Sequence, residues 1–121
     1  MRCSAGSHLL PALMWHRNPC EDSDFDSFVG FANPGDQPVN ISIDVPHESS
    51  RTVQINGREV ALPHRLALRP GSWRQVRLAP IAEEGAPCGG IESFLVRLET
   101  DQPVALYGSV IDRKSGDPRT V

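Results

Sequence analysis

Lysine is almost missing from this chain of 121 residues: Lys114 stands alone beside eleven arginines. Aromatic residues are few, at 6%. No apolar run approaches the roughly 20 residues that a helix needs to cross a bilayer. The start offers only Leu9 to Trp15, which Pro11 interrupts and no small-residue cleavage site follows, so it does not read as a signal peptide. The expectation is a cytoplasmic protein or a piece of a longer exported one. Net positive charge is missing too. At −3 the chain lacks the basic surface that phosphate backbones demand, which argues against nucleic acid as a partner. Helical patterning is nearly absent; Ile81 to Ala86 is short, has no amphipathic stripe, and reads as a loop. No nucleophile elbow, P-loop, dinucleotide fingerprint or zinc-protease motif occurs. His64 lies in phase with Leu66 and Leu68 and reads as a core-edge histidine, and His47 stands in no catalytic frame. The chain is therefore expected not to be an enzyme.

What is abundant is turn chemistry. Ten glycines and eleven prolines punctuate short segments in which apolar and polar residues alternate. In Val39-Asn40-Ile41-Ser42-Ile43-Asp44-Val45 one face is apolar and the other polar, as a half-buried antiparallel strand requires. Phe94-Val96-Leu98 and Val76-Leu78 repeat the pattern, and Val104–Asp112, apolar on both faces, reads as a central strand. Asn56-Gly57 between two short alternating segments predicts a hairpin with a type I′ turn. Arg69-Pro70-Gly71-Ser72 and Asp101-Gln102-Pro103 are expected to reverse the chain. With Leu9–Met14 as a first strand, the count is about seven to eight. One all-β domain, an antiparallel β-sandwich spanning 1–121, is the expectation, favoured over a barrel because no glycine or bulge pattern repeats.

Three segments carry candidate chemistry. Asp22, Asp24 and Asp26 alternate like the opening of a calcium loop, since hard oxygen ligands suit that ion. The EF-hand frame then fails at Ser27 and Asn33. A solvated acidic loop is the competing reading, and no other cofactor is indicated. Trp73, Gln75 and Arg77 share the outward face of their strand if Val76 and Leu78 point in. An exposed Trp beside an amide and a guanidinium can stack on a sugar or meet a peptide; the competing reading packs Trp73 down over the sheet edge. Cys3, Cys20 and Cys88 lack zinc-ligand spacing. A Cys20–Cys88 bridge would close a long loop; the alternative is two ordinary thiols near loop ends.

Phe28-Val29-Gly30-Phe31-Ala32-Asn33-Pro34-Gly35-Asp36, Leu68-Arg69-Pro70-Gly71-Ser72, and Leu106-Tyr107-Gly108-Ser109-Val110-Ile111-Asp112 before Ser115-Gly116-Asp117-Pro118 carry a resemblance. Over about residues 8–119 the chain resembles immunoglobulin-like modules of secreted or surface proteins of bacteria. The resemblance implies an immunoglobulin-like sandwich, an extracytoplasmic location, and a spacer or adhesive role towards a protein or cell-surface ligand. It also implies a monomer or one unit of a longer multi-domain chain, and it carries over no catalytic residues.

Overall fold

The computed structural model describes residues 2–18, 25–82, 85, 87–112 and 117–120. Among these residues there is no helix, and the strands are β1 (Arg2–His16), β2 (Phe25–Ala32), β3 (Val39–Asp44), β4 (Thr52–Ile55), β5 (Arg58–Ala61), β6 (His64–Leu68), β7 (Trp73–Pro80), β8 (Ile91–Asp112) and β9 (Asp117–Thr120). All pairings are antiparallel. One sheet runs β5-β4-β7-β2-β8-β3-β6, with β1 and β9 also paired to β8, and it is nearly closed, like a barrel. The all-β expectation holds, with nine strands among the described residues.

The Asn56-Gly57 hairpin forms as its chemistry demands: φ is 53° at Asn56 and 81° at Gly57, and Val53 faces Val60 across it. The Arg69–Ser72 turn also forms, with Gly71 at φ 72° and Ser72 N–H donating to Arg69 O at 3.1 Å. Asp101-Gln102-Pro103 does not reverse the chain. Ser4 pairs with Val104 and Gly6 with Thr100, so these three residues bulge out of a 22-residue strand. Because the bulge adds two residues to β8, an even number, inward alternation survives it: Phe94, Val96 and Leu98 before it and Val104, Leu106 and Val110 after it are all buried. In β1 the opposite happens. Leu10 pairs with Val96 and Leu13 with Phe94, one extra residue beside Pro11, so the buried set switches from His8 and Leu10 to Leu13 and Trp15.

Long β8 serves two neighbours along one edge. Residues 97–100 pair with β3 and residues 105–112 with β2. The 33–38 segment therefore joins two strands that run the same way along β8. Asn33, 2% exposed, holds this corner. Its Nδ2 donates to Gln37 O (2.7 Å) and Leu68 O (3.1 Å), and its Oδ1 accepts from Gly35 N–H (3.0 Å). Its backbone N–H donates to Ser72 O and its carbonyl accepts from Gly71 N–H. Inside lies one cluster that includes Leu13, Phe31, Ile41, Ile43, Leu78 and Leu98, all below 3% exposure. Although β1 and β2 share no ladder, Met14 N–H donates to Ser27 Oγ (3.1 Å) and the Ser27 hydroxyl donates to Met14 O.

Candidate functional site

β7 places Trp73, Gln75 and Arg77 on the outward side, while Val76 and Leu78 beneath them are buried. Across β7, β2 and β8 they head the rows Trp73–Ala32–Ala105, Gln75–Gly30–Tyr107 and Arg77–Phe28–Ser109. Trp73 is 59% exposed, so it does not pack down over the sheet edge. Tyr107 lies across Gly30, where an added Cβ would stand 2.2 Å from its ring, and its hydroxyl donates to Gln75 Oε1 at 2.8 Å. The missing side chain at Gly30 is what lets the ring lie against the sheet. The result is a face holding Trp73, Tyr107, half-buried Phe28, and the polar heads of Gln75 and Arg77.

The backbone of this strand matters as much as its side chains. β4 pairs with β7 only at Leu78, Ala79 and Pro80. Beyond that, Asn56 N–H donates to Arg77 O (3.0 Å) and Arg77 N–H donates to Asn56 Oδ1 (2.9 Å), and there the hairpin turns away. In a strand, alternate residues direct their N–H and C=O to the same side. Those of Gln75 and Trp73 thus point the same way as those of Arg77, past the end of β4, and no described residue bonds to them. Arg58, Arg74 and Arg77 are exposed and, among the described residues, form no ion pair. The Arg77 guanidinium lies over the hairpin tip, 3.9 Å from where a Cβ of Gly57 would be.

Of the acidic segment, Asp22 and Asp24 lie outside the described residues. Asp26 stands in β2 opposite Ile111, and with Gln54 and Arg77 it lines a cavity of about 240 Å³ beside Phe25 and Pro80. Among the described residues, no group of three His, Cys, Asp or Glu side chains is placed to hold a metal. Cys88 is disulfide-bonded. The next residue, Gly89, donates to Asn18 O at 3.1 Å; Cys20 lies outside the described residues.

A second charged cluster sits at the end of β1. Arg17 pairs with buried Glu48 (2.7 Å) and with Glu92 (2.9 Å), and Glu92 also accepts from Trp15 Nε1 (3.1 Å). Burial works against the charge on Arg17, but the hydrogen bonds and charges of both carboxylates outweigh it and raise its pKa. Burial likewise pushes Glu92 up, and the bonds from Arg17 and Trp15 with the Arg17 charge prevail, leaving its carboxyl below the usual range. Farther round the sheet, a concavity of about 710 Å³ lies over β6, β3, β8 and β1, lined by Ser7, Asn40, Ser42, Arg65 and Glu99 among others, without an aromatic residue.

Tyr107, Phe28 and Gly30 complete the Trp73 face and escaped the sequence reading. The glycine inside an alternating strand was a signal of close approach; that Tyr107 fills the space depends on which strand lies next to β2.

No family model matches the chain, and no curated protein does. A crystal structure named Thermotoga maritima 1070 is similar, with a TM-score of 0.59 over 98% of this chain and 91% of that one, at 16% identity. At that identity the likeness concerns the fold alone. Among the described residues no helix is long and apolar enough to cross a membrane.

Proposed function

We infer that the chain is a non-enzymatic binding module of an exported bacterial protein, an immunoglobulin-like β-sandwich variant used for adhesion or protein interaction. The observation that carries this reading is Trp73, 59% exposed on an ordered strand with Tyr107 and Arg77 beside it. Trp, Tyr and Arg are the residues in which interface energy concentrates. An indole left in water contributes nothing to the core, so its place on a rigid strand favours a partner. The bonded Cys88 supports export, because disulfides persist in oxidising compartments. A sugar stacked on Trp73 is the alternative occupant; Gln75 and Arg77 could then bond its hydroxyls.

The test is adhesion of beads coated with the full chain to bacterial and host cell surfaces. Trp73→Ala should abolish adhesion and leave thermal unfolding unchanged. Equal adhesion by the variant would remove this face from consideration.

A further inference from the structure

We propose that the free edge of β7 at Trp73–Gln75 takes an acidic, extended peptide as an additional strand, with Trp73 as its side-chain clamp. The proposal rests on the binding-module reading and names the partner and the mode of contact. Its basis is the mismatch between two strands. β7 is eight residues long, yet β4 covers only its last three and Asn56 a fourth. The N–H and C=O groups of Trp73 and Gln75 form a slot in line with β4, offering two donors and two acceptors at the spacing of an antiparallel ladder.

Exposed edges of this kind are templates for strand addition, and proteins usually blunt them. Here the edge borders the most exposed aromatic side chain of the described residues instead. On an added strand, residues opposite Trp73 and Gln75 would present side chains to the indole and the amide on the outer face. The charge of the partner follows from the arginines. Arg74 stands between the two slot residues with its side chain in phase with Val76, on the face opposite Trp73. Arg77 and Arg58 stand at the hairpin end, and all three arginines are exposed and without ion pairs among the described residues. A peptide bearing carboxylates would pair with them, whereas a basic one would meet repulsion. The slot exchanges main-chain bonds with two residues, so a peptide of about four to six residues spans it.

The probe is a synthetic hexapeptide of alternating glutamate and valine, compared with a lysine–valine version and with the acidic peptide N-methylated on alternate amides. Binding to the full chain is followed by Trp73 fluorescence and by amide exchange. The acidic peptide should bind saturably and slow exchange at the Trp73 and Gln75 amides. Affinity should fall by about tenfold or more in Trp73→Ala and on N-methylation, and should be unchanged in Ser42→Ala, which lies on a different part of the sheet. Slow exchange at Trp73 and Gln75 before any peptide is added would overturn the proposal, as would equal binding of the methylated or basic peptide. If no peptide binds but Trp73→Ala still abolishes bead adhesion, the face stands and strand addition is wrong; a Trp73-dependent response to neutral oligosaccharides would then assign it to a glycan. If adhesion survives Trp73→Ala, both readings fall.

Discussion

The chain has two tryptophans, and the fold treats them in opposite ways. Trp15 is 3% exposed, stacked on Phe94 at 3.8 Å between ring centres, with its N–H on Glu92 and the Arg17 guanidinium 5.4 Å from its ring centre. Every surface of that indole has a use inside the protein. Trp73 is 59% exposed and stands over small residues, with Ala32 opposite it in the neighbouring strand. Trp15 is explained by stability, and Trp73 is not. This difference separates an indole that helps hold the sheet together from one that stands in water.

The largest expected effect breaks the buried half of the comparison. Trp15→Ala should cost about 4 kcal/mol, since a stacked, enclosed aromatic is removed; denaturant unfolding measures it, and a loss below about 1 kcal/mol would deny Trp15 its anchoring role. Arg17→Ala comes next, at about 3 kcal/mol, because Glu48, whose side chain is 3% exposed, would keep a buried charge without its cation. Glu92→Gln should cost under about 1 kcal/mol, as that side chain is 47% exposed and water screens the pair.

Acid sharpens the same contrast. The folded pKa of Glu92 lies below the ordinary 4.5, so its contribution is full above that value and is lost as pH falls through the depressed one. Unfolding midpoints should drop below about pH 4.5, and less steeply in Glu92→Gln; identical acid limbs would remove Glu92 from the account. Asp101, whose carboxylate accepts from the backbone N–H and side-chain amide of Asn40, is also held below its usual range and adds to the acid limb of both proteins.

On the exposed side the effects shrink. Tyr107→Phe deletes the bond to Gln75 and should cost about 0.5–1 kcal/mol by thermal unfolding. Trp73→Ala should change stability by no more than about 0.5 kcal/mol, while removing most of the acrylamide-quenchable fluorescence. If quenching instead persists at full strength in that variant, the exposed indole is Trp15 and the comparison fails.

Much of the sheet was legible in the chain, for identifiable reasons. Val39–Val45 and Asn56-Gly57 announce themselves because alternation and positive φ are local properties. Asp101-Gln102-Pro103 misled because turn-forming residues also form bulges; whether a neighbouring strand continues past them is a nonlocal fact. The alternation of β1 breaks at Pro11 for the same reason. Of the candidate site, Trp73, Gln75 and Arg77 were found from the phase of Val76 and Leu78, and their shared outward face is as expected. The exposure of Trp73, the Tyr107–Gln75 bond and the short reach of β4 were not accessible, since each depends on which strands become neighbours.

The sequence by itself determined an all-β antiparallel chain, its turns at 56–57 and 69–72, and the phase that turns Trp73 outward. These follow from backbone dihedral preferences and from a side-chain period of two, which act within a few residues. Only the tertiary structure decided that β8 runs unbroken beside both β2 and β3, and that one tryptophan is enclosed while the other is bare. It also decided that β7 extends beyond its partner. Each of these outcomes is a pairing between distant segments, and hydrophobic burial selects among such pairings for the whole sheet at once, leaving no local trace at the residues concerned.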